Sequence, residues 1–244
     1  MTDPTPLAAF SRRRVPACAA PLRDAGWRPG SGSAALHSEL FAPGHEGGGA
    51  GLALAMALDQ SRGDDRPFLW VQDKAALRLG GRPYRPGLPP ALRGRLIHVA
   101  AATPQDALFA LEEGLRCRDL AFVVGEIAGN PRALSLTASR RLSLVAQKHG
   151  VPLWLVRLDA AQDLSSARMR WQVRSAASSL AHWNPDAPGA PAWRGTLFRA
   201  RAHPPGEWIL CDDGHALVAA AAQYEQAHPV DLVQPAGDRS LAAG

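Results

Sequence analysis

Five short apolar runs recur along the 244-residue chain with helix-like segments between them, and this alternation leaves few possible folds. They are ALHSELF (35–41), PFLWVQ (67–72), RLIHVAA (95–101), LAFVVG (120–125) and PLWLVR (152–157). Runs of this length without polar alternation are typical of strands that are buried on both faces of a sheet. We therefore expect an α/β domain whose sheet is mostly parallel.

The segments that separate the third, fourth and fifth runs have the pattern of crossover helices. Thr103 is placed to cap the first helix, Pro104 suits its first turn, and apolar residues then repeat at helical spacing. The second helix keeps the same spacing and stops at Gly150, a residue that favours helix termination. Together they predict a βαβαβ unit with helices on both faces of a twisted, mostly parallel sheet.

Beyond Arg157 the pattern changes to an alternation of apolar and polar residues. Segment 168–178 predicts one strand, and segment 193–214 predicts two more, joined by a turn of two prolines and a glycine. We expect these strands to form an antiparallel C-terminal edge. Weak patterning at both ends predicts a partly ordered extension at 1–33, a core domain at 34–225 and a flexible tail at 226–244.

Composition limits the class of protein further. No apolar run is long enough for a membrane span and the N-terminus lacks the pattern of a secretion signal, so we expect a cytoplasmic protein. Three widely separated cysteines and eight scattered histidines give no paired spacing for a zinc site. Of the 27 basic residues only two are lysines. Arginine suits phosphate binding, although a GC-rich genome produces the same bias.

A glycine-rich turn follows the first apolar run and precedes a helix pattern rich in alanine and leucine. The stretch APGHEGGGAG (42–51) carries Gly44, Gly47, Gly48 and Gly49 where nucleotide-binding proteins place their phosphate loop. In such a loop backbone N–H groups wrap the phosphates, a lysine reaches the outer phosphates, and a serine or threonine holds magnesium. The position of the turn therefore predicts a P-loop fold.

The reactive groups of a working phosphate loop are missing from this turn. In the two possible registers the lysine and hydroxyl positions fall on Gly48 and Gly49, or on Ala50 and Gly51. Neither register supplies a cation or a metal ligand. The sequence therefore predicts a degenerate loop without catalysis, with no metal site and with no ATP cofactor.

Two acidic residues near predicted strand ends are the remaining candidates for nucleotide chemistry. Glu126 follows Gly125, which stands where nucleotide hydrolases place an aspartate for magnesium. Glu126 would coordinate a metal or lie solvated at the edge of the sheet, and the missing partners favour the solvated position. Asp73 would orient a water as a general base or lie exposed in a βα loop, and we expect the exposed position.

Three longer stretches of the chain carry a resemblance to a known family. They are ALHSELFAPGHEGGGAGLALAMAL (35–58), LAFVVGEIAGNPRALSLTASRRLSLVAQKHGVPLWLVR (120–157) and ARMRWQVRSAASSLAHWNPDAPGAPAWRGTLFRARAHPPGEWIL (167–210). These stretches resemble the ImuA family, degenerate relatives of RecA that many bacteria encode beside mutagenic DNA polymerases. The second and third stretches are the specific ones. The absent lysine and aspartate agree with this resemblance.

The resemblance implies a RecA-like P-loop NTPase core that lacks a working catalytic centre. It implies a non-catalytic scaffold that acts in the SOS response, in error-prone translesion DNA synthesis. The implied partners are ImuB, an inactive Y-family polymerase, and an error-prone replicative-type polymerase, with DNA or RecA as further partners. Such a protein would be cytoplasmic, and associated with the nucleoid when it acts.

In RecA-like proteins the loops after the later strands face DNA, and in this chain that region is rich in arginine. The candidate residues are Arg157, Arg168, Arg170 and Arg174. On the predicted strand, the last three would share one face, with Trp171 on the other. They would form a cationic ribbon against DNA phosphates or the exposed polar face of an edge strand, and the second interpretation is the default.

Two other functions stay open on the sequence alone. One is a DNA-stimulated ATPase or recombinase that uses an unconventional cation, such as an arginine from a neighbouring subunit. The other keeps ATP as a structural ligand, because N–H groups at the start of a helix attract anions without a lysine.

Overall fold

The computed structural model describes residues 36–178, 189–201, 203–212 and 217–221. Residues 218–221 are described by their backbone alone. Within these ranges nine strands form one sheet in the order β3-β2-β4-β5-β1-β6-β7-β8-β9. The strands are β1 His37–Ala42, β2 Phe68–Asp73, β3 Leu96–Ala101, β4 Val123–Ala128, β5 Leu153–Leu158, β6 Met169–Ala176, β7 Ala192–Ala200, β8 Gly206–Asp212 and β9 Leu217–Ala221. The predicted extension at 1–33 and tail at 226–244 lie outside the described residues.

The strand pairing divides the sheet into a parallel and an antiparallel part. Every pair from β3 across to β6 is parallel, and the three pairs from β6 to β9 are antiparallel. The predicted α/β class, the mostly parallel sheet and the antiparallel C-terminal edge are therefore confirmed. Strand β6 pairs with β1 on one side and with β7 on the other, so it is an interior strand.

Helices lie on both faces of the sheet, as the alternation of elements predicts. They are α1 Gly48–Gln60, α2 Lys74–Gly80, α3 Pro104–Arg116 and α4 Leu136–His149. The side chain of Thr103 caps α3 by accepting a hydrogen bond from Asp106 N at 3.1 Å, and Gly150 ends α4 in the left-handed conformation. No helix in the described part of the chain is long and apolar enough to span a membrane.

Two apolar layers cover the two faces. Helix α1 packs on one face, where Leu40 and Trp154 of the sheet belong to its core cluster. Helices α3 and α4 pack on the opposite face against Val123 and Leu155. Helix α1 is apolar nearly all round, and residues 52–57 are all buried. Trp193 of β7 lies close to the helix at Gly51.

One strand boundary differs from its prediction in a way that matters for the site. The fourth apolar run predicts a strand at 120–125, but β4 runs from Val123 to Ala128 because these residues pair in register with β5, from Leu153 to Leu158. The residues before Val123 are buried and apolar without being part of the strand. The shift places Glu126 inside the strand instead of beyond it.

Candidate functional site

The glycine-rich turn lies between β1 and α1, as predicted, at the carboxyl end of a central strand. Its backbone is already engaged by a carboxylate, since the N–H of Gly44 donates to Asp159 Oδ1 at 2.8 Å. Asp159 follows the adjacent strand β5 and has a φ of 49°. A Cβ atom at Gly44 would lie 2.5 Å from Asp159 Oδ2, so a larger residue would require the Asp159 side chain to move.

A second carboxylate ties the turn to strand β6. Glu46 accepts a hydrogen bond from the backbone N–H of Ser175 at 2.8 Å, and Arg174 and His45 lie 3.6 Å from its other oxygen. The hydrogen bond from Ser175 holds the pKa of Glu46 below its ordinary value, so this carboxylate is ionised at neutral pH. A phosphate that entered the turn would meet the carboxylates of Glu46 and Asp159, which repel it.

The glycines that follow allow close packing of helix α1 on the sheet. A Cβ atom at Gly49 would lie 2.7 Å from Ala42 Cβ and 2.9 Å from Val156 Cγ1. A Cβ atom at Gly48 would lie 3.0 Å from Ser175 Oγ. These two glycines therefore have a packing role that explains their presence without a ligand.

The start of helix α1 retains one feature of an anion site. Gly47 is its N-cap, no side chain caps it, and the first turn of the helix carries no acidic residue. The N–H groups of the first turn and the helix dipole there favour a negative charge. Glu46 directly precedes the cap, but its carboxylate is bonded to Ser175 N–H of β6.

Glu126 is buried, so the expectation that it lies solvated at the edge of the sheet is wrong. Its two carboxylate oxygens accept hydrogen bonds from Trp70 Nε1 at 3.1 Å and Gln72 Nε2 at 2.8 Å. The cause is the register of the sheet, in which Gln72 of β2 lies directly opposite Glu126. Burial raises the pKa of Glu126 above its ordinary value. The last residues of β4, Ile127 and Ala128, bring no carboxylate to the strand end.

Asp73 is also buried, and the expectation of an exposed loop position is wrong. It is the last residue of β2, and helix α2 begins at the next residue without an intervening loop. Its Oδ1 accepts a hydrogen bond from the N–H of Ala76 at 2.7 Å, which caps α2. This capping contact accounts for the aspartate without a catalytic role.

The four candidate DNA-binding arginines do not share an exposed face. Arg157 and Arg170 are each only 3% exposed, and Arg170 Nε lies 2.8 Å from Glu39 Oε2 in a buried ion pair. The expected exposure is wrong for Arg170, because β6 pairs with β1 in a register that places Arg170 opposite Glu39. Arg168 is half-buried and Arg174 is exposed, and DNA contact through these two stays a prediction.

Aromatic rings complete the surroundings of the buried arginines. The guanidinium carbon of Arg170 lies 5.0 Å from the centre of the Phe41 ring and 5.3 Å from that of Phe198. Arg157 stacks over the same Phe41 ring at 5.6 Å and donates to Gly129 O at 3.0 Å. These arginines therefore stabilise the fold instead of presenting charge to a ligand.

A chain of buried and half-buried hydroxyl groups, which sequence patterns did not reveal, lies beside this ion pair. Each group in the chain contacts the next, in the order His37 Nδ1, Ser143, Ser166, Ser139, Ser165 and Glu39 Oε1. The successive distances are 2.7, 2.6, 3.1, 2.8 and 2.7 Å. The serines come from α4 and from the loop before β6, so their spacing along the chain gives no motif. Only the packing of these two elements over β1 brings them together.

A serine, a histidine and a glutamate within one network resemble a nucleophilic triad in composition but not in arrangement. Glu39 bonds to Ser165 and Arg170, whereas in a triad it would orient His37. Ser143 is buried, so a substrate has no access to its hydroxyl. The network therefore satisfies buried polar groups of the fold.

Metal ligation has little support in the described part of the chain. Within it, no three histidine, cysteine or acidic side chains are grouped closely enough to hold a metal ion.

Comparison with known proteins adds no family, since the sequence matches no protein-family model and no curated protein. The interpretation of the turn depends on its geometry and its charges.

Proposed function

We propose that the protein is a non-catalytic accessory protein with a RecA-like core that acts in damage-induced, error-prone DNA synthesis. Its proposed partners are an ImuB-type inactive Y-family polymerase and an error-prone replicative-type polymerase, in the cytoplasm and at the nucleoid. Two kinds of observation support this proposal. One is the resemblance of residues 35–58, 120–157 and 167–210 to the ImuA family. The other is the position of the glycine-rich turn between the first strand and first helix of a mostly parallel sheet.

The observation that carries the non-catalytic part of the proposal is the charge in the turn. A nucleotide hydrolase places a lysine and a hydroxyl there to bind phosphate and magnesium. In this protein the turn holds the carboxylates of Glu46 and Asp159, and the N–H of Gly44 is bonded to Asp159. The core would thus keep the shape of the superfamily and serve as a surface for partner proteins.

The alternative of a DNA-stimulated ATPase has less support. It needs a carboxylate that is free to hold magnesium or to activate water at the end of β4. Glu126 is the acidic residue in that strand, and Trp70 and Gln72 occupy both of its oxygens. ATP as a structural ligand is tested separately by calorimetric titration, in which we expect no saturable heat.

Co-purification tests the scaffold function. The full-length protein with an affinity tag is recovered from bacteria treated with a DNA-damaging agent, and the tag alone serves as the control. We expect the ImuB-type protein and the error-prone polymerase to co-purify with the tagged protein only. Recovery of neither partner would contradict the proposal.

A further inference from the structure

Residues 74–105 carry positive charge without any negative charge. Asp73 precedes this segment and Asp106 follows it, and no acidic residue lies between them. Its basic residues are Lys74, Arg78, Arg82, Arg85, Arg93 and Arg95. The genomic bias that favours arginine does not explain why aspartate and glutamate are absent. The basic residues lie in α2, in the first of two short 3₁₀ turns (Arg85–Gly87 and Pro90–Leu92) and in the connections around these turns, beside the edge strand β3.

The cations of this segment form no ion pair with a carboxylate in the part of the chain that the structure describes. Five of the six are exposed and Arg95 is half-buried, yet no aspartate or glutamate lies within ion-pair distance of any of them. Some donate to backbone carbonyls instead, as Arg93 Nε does to Leu88 O at 2.9 Å. Such a bond orients the guanidinium but does not neutralise its positive charge.

Two of these arginines, Arg82 and Arg85, lie near enough to His98 of the edge strand β3 to influence its pKa. His98 of β3 is hydrogen-bonded through Nε2 to Gln72 Oε1 at 2.9 Å. Burial lowers the pKa of His98, and the positive charges of Arg82 and Arg85 lower it further. Arg85 also donates from Nη2 to Leu96 O, at the start of β3, at 3.5 Å. Arg82 and Arg85 are two residues from Pro83 and Tyr84 at most, so both cations flank the same short stretch of chain beside this strand.

An exposed aromatic ring lies between these two arginines in the chain. Tyr84 is 74% exposed, in the sequence Arg82-Pro83-Tyr84-Arg85-Pro86. Proline on each side restricts the backbone, and the Tyr84 ring lies so close to Gly87 that a Cβ atom there would be 2.9 Å from its Cδ1. The ring is therefore presented to solvent from a restrained backbone, although it is large and apolar.

We propose that residues 74–95 bind single-stranded nucleic acid, with Arg82 and Arg85 on backbone phosphates and Tyr84 stacked on an unpaired base. The arginine fork pairs with phosphate in a two-pronged geometry, and exposed aromatic rings are the usual platform for unstacked bases. An acidic protein surface would satisfy the arginines but gives the exposed ring no role. A duplex keeps its bases stacked, so it gives Tyr84 no base to contact.

Fluorescence anisotropy with a labelled oligothymidylate tests this proposal on the purified full-length protein. We expect the double variant Arg82→Ala/Arg85→Ala to weaken binding at least ~10-fold and to reduce the slope of log affinity against log salt by about 0.7 per lost contact. Tyr84→Ala should weaken binding by about 5-fold or more. The matched control is Arg140→Ala/Lys148→Ala, which removes two exposed cations from α4, and it should change affinity by less than ~3-fold.

Three results would overturn the proposal. They are equal loss of affinity in the control and the double variant, unchanged affinity in Tyr84→Ala, and displacement of the oligonucleotide by polyglutamate as effective as that by unlabelled oligothymidylate. The last result would assign the surface to an acidic protein. Since the assay contains no partner protein, its failure leaves the proposed scaffold function standing, and failure of co-purification leaves this proposal standing.

Discussion

At the centre of the sheet, around β1 and the turn that follows it, charged groups have partners within the fold. Glu39 pairs with Arg170, Asp159 accepts from Gly44, and Glu46 accepts from Ser175. At the β3 edge, by contrast, the cations of residues 74–95 form no ion pair with a carboxylate among the described residues. The same sheet thus uses arginine to hold its interior together in one region and exposes it to solvent in the other.

This difference teaches that a residue type and its spacing do not identify a ligand site by themselves. The central region has the glycines and arginines that sequence patterns associate with nucleotide and DNA, but their contacts are internal. Substitutions in the centre should therefore change the free energy of unfolding, and substitutions at the edge should change ligand binding alone. Four measurements can break or sharpen this contrast.

The largest effect is expected from Glu39→Ala in the centre. The substitution leaves the buried guanidinium of Arg170 without its carboxylate, and breaking a buried pair in this way costs about 3–5 kcal/mol. Urea unfolding followed by circular dichroism measures the change. Glu113→Ala removes an exposed partner of Arg116 and should cost less than about 1 kcal/mol. Equal, small losses in both variants would mean that Arg170 reaches solvent.

A pH-dependent effect of nearly the same size is expected from His37. Burial lowers its pKa from 6.5 to about 4, and Arg170 acts in the same direction. Because the folded state prefers the neutral ring, its contribution is complete above pH 6.5 and is lost as the pH falls to about 4. The loss amounts to about 3 kcal/mol.

The difference in unfolding free energy between the wild-type protein and His37→Gln isolates this contribution, since both proteins retain every other titrating group. We expect the wild-type protein to lose more unfolding free energy than His37→Gln as the pH is lowered through this range. A difference that stays constant from pH 7 to pH 4 would show that the ring of His37 is accessible to water.

A smaller effect is expected in the glycine-rich turn. Gly49→Ala forces a methyl group to within 2.7 Å of Ala42 Cβ, and such overpacking costs about 1–3 kcal/mol. At Gly47 a Cβ atom meets nothing within 4 Å, so Gly47→Ala should cost less than about 1 kcal/mol. Thermal unfolding of both variants without nucleotide tests the packing role. Equal stability of the two variants would contradict the packing role of Gly49.

The smallest effect on stability is expected at the β3 edge. Arg82→Ala and Arg85→Ala remove exposed side chains that lack carboxylate partners among the described residues, so each should change the unfolding free energy by less than about 0.5 kcal/mol. Urea unfolding under the conditions used for Glu39→Ala checks this. A loss as large as that of Gly49→Ala would place these arginines among the structural cations, and the contrast between centre and edge would fail.

The fold class could be predicted because buried parallel strands and crossover helices leave local patterns. Apolar runs, the cap at Thr103 and the stop at Gly150 are each visible within a few residues of sequence. The interior position of β6 could not be predicted in this way, because it depends on pairing with β1, which is distant in the chain. That pairing is what buries Arg170.

The candidate site was harder to predict than the fold for the same reason. The glycine-rich turn is a local pattern, and its position between β1 and α1 was predicted correctly. The contacts that define its charge come from Asp159 and Ser175, more than a hundred residues away. The burial of Glu126 likewise depends on its register against Gln72. The absence of acidic residues from 74–105, however, is visible in the sequence and could have indicated the basic edge.

The central claim is that the turn after β1 lacks the lysine and hydroxyl of a nucleotide hydrolase and is held by the carboxylates of Glu46 and Asp159 instead. Phosphate release from ATP with magnesium, with and without single-stranded DNA, tests it most directly when the purified wild-type protein is compared with Glu126→Gln. We predict that both proteins release phosphate no faster than ATP does alone. Release that saturates with ATP in the wild-type protein and is abolished in Glu126→Gln would contradict the claim.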